Sequence, residues 1–436
     1  MKKLFFFTLT ALLLVSCTGK KVQKADARLE ELRTELNAVG FSVAVIKDNR
    51  VVYTGATGFR NLETEEPLLV TDLMRIASIS KSFTATAIMQ LYEAGCFDLD
   101  DDIGDALGFS VRNPAHPNIP ITYRMLLSHT SSLSDKGGYF SLDVINPAVK
   151  KDVSGSFNDY APGADYQYCN LGFNILGTLV EIHSAERFDL YIKNNILDPL
   201  GLTASFNVND LDQDKFAVIY EYKDGEFVPS PQAYNPRIKE IEEYVLGYSA
   251  PIFSPTGGMK ISAPDLAKHA LVQMNDGTWN AIEILLPESV ALMQTPQSLG
   301  DRRSSDPADI QVAKTQEKIA EEAVEEAGEE AAEKAAEEAG EEAAEKEAEE
   351  PAVPALGYGF ALEKTDRLIE GHVMTGHTGS AYGLYSAMFF QKEQKFGFIV
   401  ICNGFDTSQP RRDNGFLAVQ TDVINALYEI FVQRMK

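Results

Sequence analysis

Apolar residues return along this chain with two different periods. In "ADARLEELRTELNAVG", residues 25–40, Leu29, Leu32 and Leu36 share one helical face, and Gly40 supplies a stop. "FSVAVIK", the turn "DNR" and "VVYTGATG" then predict a β-hairpin over 41–58. "RIASISKSFTATAIMQLYEAG", 75–95, opens as a short apolar run and continues as an amphipathic helix through Phe83, Ala87, Ile88 and Leu91, closed by Gly95. From about 96 to 250 the pattern gives short helices, loops and few strands. "NLGFNILGTLVEIHS" is one helix there and "RFDLYIKNNIL" another, stopped by Pro199 and Gly201. "SAPDLAKHALVQMNDG" is a helix capped by Ser262, with Asp265 completing a capping-box pattern and Gly277 closing it. Near the end, "GYGFALE", "HVMTGHTG", "YSAMFF" and "KFGFIVIC" predict strands, and "LAVQTDVINALYEIFVQ" a final helix.

Strands at both ends with helices between them predict an α+β fold rather than an alternating βαβ series. The expected arrangement is an α/β lobe over 39–85 and 250–436, an antiparallel sheet flanked by helices. A mostly helical lobe covers 86–249. Residues 299–354 interrupt this plan: "EEAGEEAAEKAA" at 325–336 nearly recurs from 337, without an apolar stripe to pack. That insert reads as a solvated helix or disordered arm, and its evenly spread glutamates define no metal cage.

Composition refines the picture. Of the formal charge of −25, residues 321–350 carry −13, from 15 Glu and 2 Lys, so the other 406 residues hold −12. An acidic background without a basic face excludes nucleic acid as a partner. Residues 1–17 read as a targeting signal: Lys2 and Lys3, then "LFFFTLTALLLV", too short for an ordinary spanning helix. The run ends in "LVSC", which resembles a bacterial lipobox. That implies cleavage before Cys17, lipidation of Cys17, and a body anchored in the bacterial envelope, at the periplasm or cell surface, with 18–38 as tether and first helix. An ordinary secretory signal containing a cysteine is the plainer alternative. Cys96, Cys169 and Cys402 remain, an odd number without metal spacing, and are expected to be buried free thiols.

Ser78 and Lys81 stand three residues apart where the apolar run becomes a helix, so their side chains are neighbours on one face. A serine hydroxyl needs a base within hydrogen-bond reach. A helix N-terminus stabilises developing negative charge and disfavours a protonated lysine. A lone Ser-x-x-Lys is nonetheless a weak signal, since a bland helix start with an exposed lysine looks the same.

Two further motifs follow in order: Tyr168-Cys169-Asn170 before a helix, and His377-Thr378-Gly379 at a strand end. Ser-x-x-Lys, Tyr-x-Asn and a Lys/His-Thr-Gly triplet together resemble the serine β-lactamase and penicillin-binding-protein superfamily, most nearly its class C-like branch. "MLLSHTSSL", "LDPLGLTASF" and "SPTGGMKISAPDLAKHAL" resemble that branch's connecting segments, so the likeness covers roughly 39–298 and 355–436. It implies a β-lactamase/transpeptidase-like fold and an acyl-enzyme mechanism without cofactor or metal. Ser78 would be the nucleophile, Lys81 its base, and Tyr168 the second proton-transfer group. Asn170, His377, Thr378 and Gly379 would bind substrate, Asn170 also orienting Lys81. The backbone N–H groups of Ser78 and Ser380 would form the oxyanion hole, with Ser380 on an edge strand.

Class C β-lactamases usually carry lysine where this chain has His377, which weakens a β-lactamase reading. Ser132 stands where glycine is frequent, which touches local loop geometry. His129 is read as a structural hydrogen-bonding residue and His183 as a dipole contact near a helix end. The expectation is a monomeric exported serine hydrolase acting on a small-molecule or peptide amide or ester, in the manner of a D-Ala-D-Ala carboxypeptidase, D-aminopeptidase or esterase; a peptidoglycan stem peptide and a β-lactam are both candidates. A true β-lactamase is the alternative within the class. A catalytically retired peptidoglycan-binding or sensor protein is the alternative outside it.

Overall fold

A computed structural model describes residues 2–297 and 356–433, with side chains from residue 19 onward. The acidic insert at 299–354 and the side chain of Cys17 lie outside the described residues.

The chain opens with helix α1 (Lys2–Glu35), followed by strands β1 (Gly40–Lys47), β2 (Arg50–Asn61) and β3 (Glu66–Pro67). Three helices matter next: α2 (Lys81–Glu93), α3 (Asn170–Ser184) and α4 (Ala263–Met274). Strands β4 (Glu363–Thr365), β5 (Met374–Ala381), β6 (Leu384–Gln391) and β7 (Phe396–Cys402) precede the last helix, α5 (Ala418–Phe431). The seven strands form one sheet in the order β4-β5-β6-β7-β1-β2-β3. Its pairings are antiparallel, and β1 lies against β7 in the register Phe41 to Cys402. The two chain ends therefore share the sheet. This is the α+β fold expected from the strand and helix pattern.

Burial explains why the two central strands read as continuous apolar runs. Every residue of β7 is buried, as are seven of the eight in β1, because both sheet faces are covered. On one face, α1 and α5 pack through Ala25, Leu29, Leu32, Val423, Ile424 and Leu427. The apolar stripe of α1 thus meets the sheet, while Arg28 and Arg33 pair with glutamates on its exposed side. Tyr53 Oη donates to Asp26 at 2.6 Å and ties that helix to β2. On the other face, α4 lies under the sheet and joins the core of the helical lobe around α2 and α3. No described helix is long and apolar enough to cross a membrane.

Four local expectations change. "GYGFALE" is not a strand: with Gly357 at φ 108° and Ala361 at φ 58° residues 357–362 turn, and β4 begins only at Glu363. The helix after Ser78 is not amphipathic: ten of the thirteen residues of α2 are buried, because it runs through the middle of the helical lobe. Its polar residues are absorbed by hydrogen bonds; Ser82 Oγ meets His269 Nε2 at 3.0 Å and Thr84 Oγ1 donates to Pro255 O at 2.7 Å. "RFDLYIKNNIL" does not stop before Pro199. The helix passes through a π-turn at Lys193–Leu197 and takes Pro199 into its last turn, ending at Gly201. Proline is tolerated there because the carbonyl four residues earlier, Asn195 O, accepts instead from Gln90 Nε2 at 3.2 Å. Cys169 and Cys402 are buried, but Cys96 is exposed, since the chain reverses at the surface just after Gly95.

Candidate active site

Ser78 does not sit in α2 itself. It lies in a 3₁₀ turn, Ala77–Ser80, that leads into the helix. Ala77 adopts φ of 46°, a left-handed conformation costly for a residue with a Cβ. The kink is held from outside: Ile76 N donates to Met259 O at 3.0 Å, and Met259 N donates to Ser80 Oγ at 3.0 Å.

Lys81 follows at the helix start with its side chain fully buried. Its Nζ lies 3.2 Å from Ser78 Oγ, 2.8 Å from Asn170 Oδ1 and 2.9 Å from Thr256 O. The same nitrogen stands 4.8 Å from the centre of the Tyr168 ring and 5.7 Å from that of Phe173. Four predicted residues, Ser78, Lys81, Tyr168 and Asn170, are thus brought together across about ninety positions of sequence. Thr256 was missed by sequence reasoning. Its carbonyl holds Lys81, and its hydroxyl donates to Asn170 Oδ1 at 2.7 Å. The only sequence signal was its place in "SPTGGM", a segment noted without a role for the threonine.

Asp135 was also missed. Asn170 is the first residue of α3, and the Asp135 carboxylate accepts from the backbone N–H groups of Asn170 and Leu171 at 2.9 Å each. It also accepts from Cys169 Sγ at 3.2 Å. A carboxylate at a helix N-terminus satisfies otherwise unpaired donors and complements the dipole. Burial, then the nearby Asp135 charge, push the Cys169 thiol well above its ordinary range, which keeps it protonated. His129 accepts at Nδ1 from Cys169 N at 3.2 Å, the structural hydrogen bond expected of it. Burial lowers the pKa of His183, and its Nε2 meets Tyr123 Oη at 2.7 Å near the end of α3. Ser132 adopts φ of 63°, the conformation that makes glycine frequent at such a place.

The third motif lies on β5. The neighbouring strand β4 pairs only with Met374, Thr375 and Gly376, so residues 377–381 present an open outer edge. Ser380 therefore has the edge character expected of it, although β5 is the second strand of the sheet. That edge faces the Ser78 turn. Ser386 Oγ, on β6 opposite Gly379, donates to Ile76 O at 2.9 Å. A Cβ at 379 would lie 2.3 Å from Ile76 O, so the two backbones meet where only glycine fits.

His377 is 1% exposed, its ring centre 5.9 Å from that of Tyr168 and 5.8 Å from that of Tyr358. Burial, reinforced by Lys81, lowers its pKa to about 3. The imidazole is neutral near pH 7. Its Nδ1 contacts Thr378 O, while Nε2 has no hydrogen-bond partner among the described residues. No group of side chains able to hold a metal ion occurs among the described residues.

A buried lysine between serine, asparagine and tyrosine, under the edge of an antiparallel sheet flanked by helices, defines the β-lactamase/transpeptidase-like fold. Comparison with known proteins agrees: residues 25–422 match the Beta-lactamase family model, and the chain belongs to that family. It is similar to "Penicillin-binding protein 4" of Amycolatopsis lactamdurans, 28% identical over 281 residues, 61% of this chain and 68% of that protein. It is also similar to "Protein flp" of Staphylococcus aureus, 26% identical over 223 residues, 50% of this chain but only 45% of that protein. Solved structures share the fold. An octameric penicillin-binding protein homologue from Pyrococcus abyssi has a TM-score of 0.65 at 23% identity, covering 94% of this chain and 76% of that one. D-amino acid amidase from Ochrobactrum anthropi has 0.62 at 17%, covering 94% and 98%.

Proposed function

We propose that the protein is an exported serine hydrolase, lipid-anchored through Cys17 in the bacterial envelope, that cleaves an amide or ester through an acyl-enzyme on Ser78. The observation that carries this reading is the surroundings of Lys81 Nζ. Asn170 Oδ1 and Thr256 O accept hydrogens from Lys81 Nζ and so hold it 3.2 Å from Ser78 Oγ, within reach of that hydroxyl's proton once the amine has given up its own extra proton. Ser78 then attacks the carbonyl carbon as its proton passes to Lys81. The carbonyl oxygen, now negative, is received by the N–H groups of Ser78 and Ser380. Tyr168, beside Lys81, gives its phenolic proton to the leaving amine or alcohol and takes in return the proton that Lys81 received from Ser78; water then releases the acyl group by the reverse path. A retired binding protein has no use for a lysine buried at such cost.

A carboxypeptidase-, aminopeptidase- or esterase-like activity is favoured over a β-lactamase. The ring of His377 is neutral at working pH and supplies no permanent positive charge for a β-lactam carboxylate. The test is intact-mass measurement of the protein mixed with a penicillin and, separately, with an activated p-nitrophenyl ester. An adduct or burst that maps to Ser78 and vanishes in Ser78→Ala supports the reading. Rapid drug turnover would favour the β-lactamase. Failure of both reagents to acylate Ser78 would sink the proposal.

A further inference from the structure

His129 occupies a place that a helix end ordinarily gives to glycine. The short helix Tyr123–Leu127 closes with two backbone bonds, His129 N to Leu126 O at 3.4 Å and Thr130 N to Met125 O at 2.9 Å. Such a closure puts the residue after the cap in the left-handed region, and His129 has φ of 57°. A Cβ there is costly where glycine would not be. The side chain is also buried, at 1% exposed. What it reaches is the chain on either side of Tyr168. Gln167 N donates to His129 O at 2.9 Å, and Cys169 N donates to His129 Nδ1 at 3.2 Å. The centres of the His129 and Tyr168 rings lie 4.3 Å apart. One residue thus grips the backbone before and after Tyr168 and packs against its ring.

The grip depends on one form of the imidazole. A neutral ring carries a single N–H. Nδ1 accepts from Cys169 N, so the proton is on Nε2. Burial, reinforced by nearby Lys81 and His377, holds His129 well below its ordinary range, which keeps the Nδ1 lone pair available. Asp135 takes the next two N–H groups, of Asn170 and Leu171. Between them His129 and Asp135 hold four of the five N–H groups from Gln167 to Leu171. The Tyr168 ring is thereby set 4.8 Å from Lys81 Nζ, which is itself fixed by Asn170 and Thr256. Attack by Ser78 needs Lys81 as its base. Departure of a strongly basic leaving group needs, in addition, a phenol at the right distance, and a misplacement of 1 Å costs about 10²-fold.

We infer that His129 is a positioning residue for the second proton transfer: its Nδ1 and its carbonyl clamp the chain around Tyr168, so that the phenol meets leaving groups that depart only when protonated. This rests on the acyl-enzyme reading, in which Tyr168 gives that proton, and deepens it. The test compares ethyl butyrate with p-nitrophenyl butyrate, which share an acyl group, using the full-length protein in detergent. Ethoxide must be protonated to leave, whereas p-nitrophenolate leaves as the anion. The readout is the ratio of kcat/KM for the ethyl ester to that for the p-nitrophenyl ester. Tyr168→Phe sets the scale and should lower the ratio by about 10²-fold or more, the usual worth of a positioned general acid. His129→Gln carries its amide one bond further out, has no acceptor in the place of Nδ1, and should lower the ratio by about tenfold or more. His129→Asn puts Oδ1 where Nδ1 stands and tolerates a positive φ, and should hold the ratio to within about threefold of the wild type. Equal loss on both esters in His129→Gln, the signature of a merely structural residue, would overturn the inference. So would a fall of the ratio in His129→Asn as deep as in Tyr168→Phe, which covers the case in which His129→Gln fails to fold. A ratio unmoved by Tyr168→Phe would instead overturn the proton-transfer role of Tyr168, and absence of any Ser78-dependent cleavage would overturn the hydrolase reading beneath both.

Discussion

Gly379→Ala isolates the contact between strand β5 and the turn that carries Ser78, the proposed nucleophile. The added methyl would lie 2.3 Å from Ile76 O and 2.4 Å from Ser386 Oγ. Comfortable carbon–oxygen contacts are about 3.3–3.6 Å, so one partner must retreat by about 1 Å. The Ser386 hydroxyl can rotate, at the loss of its hydrogen bond to Ile76 O. The Ile76 carbonyl cannot, because it is backbone two residues before Ser78 in a turn already strained at Ala77. The strand therefore moves out and carries Ser380 N with it. In the proposed mechanism Ser380 N is an oxyanion donor; such donors act at about 2.7–3.1 Å, so a 1 Å retreat would remove it, and loss of one typically costs about 10²–10³-fold in rate. Overpacking of this kind costs about 1–3 kcal/mol in stability. The assay is the burst of p-nitrophenol on acylation by an activated ester, with a urea midpoint on the same preparation. The expected result is a slow burst from a protein that still unfolds cooperatively. A burst rate within threefold of wild type, at an unchanged midpoint, would refute the argument that the strand is held at contact distance.

Three further outcomes are expected. Asp135→Ala should lower stability by about 1–2 kcal/mol, the worth of an N-terminal cap, and slow acylation by loosening Asn170; an unchanged urea midpoint would show that the α3 terminus finds another partner. His269 and His377 are held by burial at about 3, against an ordinary 6.5. The unfolded chain therefore binds more protons than the native one between those values. Stability should be complete above about pH 6.5 and fall on acidification toward 3, by up to about 1.4 kcal/mol per pH unit for each ring. Urea midpoints at pH 7 and pH 5 check this, and a higher midpoint at pH 5 would contradict the sign. Among Cys96, Cys169 and Cys402, only Cys96 should react with a maleimide in the native protein, as peptide mapping would read; rapid labelling of Cys169 would contradict its burial.

Elements with strong local periodicity were legible from the chain alone. Leu29, Leu32 and Leu36 marked a helix because an amphipathic stripe repeats with the helical turn. Ser262, Asp265 and Gly277 marked both ends of α4, since caps are short-range chemistry. The nearness of Ser78 and Lys81 followed from a spacing of three. Burial around α2 was harder to read, because serine and threonine on a helix look solvent-facing until their partners at Pro255 and His269 are known.

Tertiary structure decided the rest, and the reason is separation along the chain. Thr256 reaches Lys81 over 175 positions, and Ser386 reaches Ile76 over 310. Asp135 caps α3 from 35 residues away and leaves no periodic mark. The charge state of His377 is likewise a property of its burial beside Lys81, not of the triplet it belongs to. Residue types and local spacing nominated the chemistry. Only packing, which brings distant backbone carbonyls and carboxylates to within 3 Å, determined what each group can accept, donate or exclude.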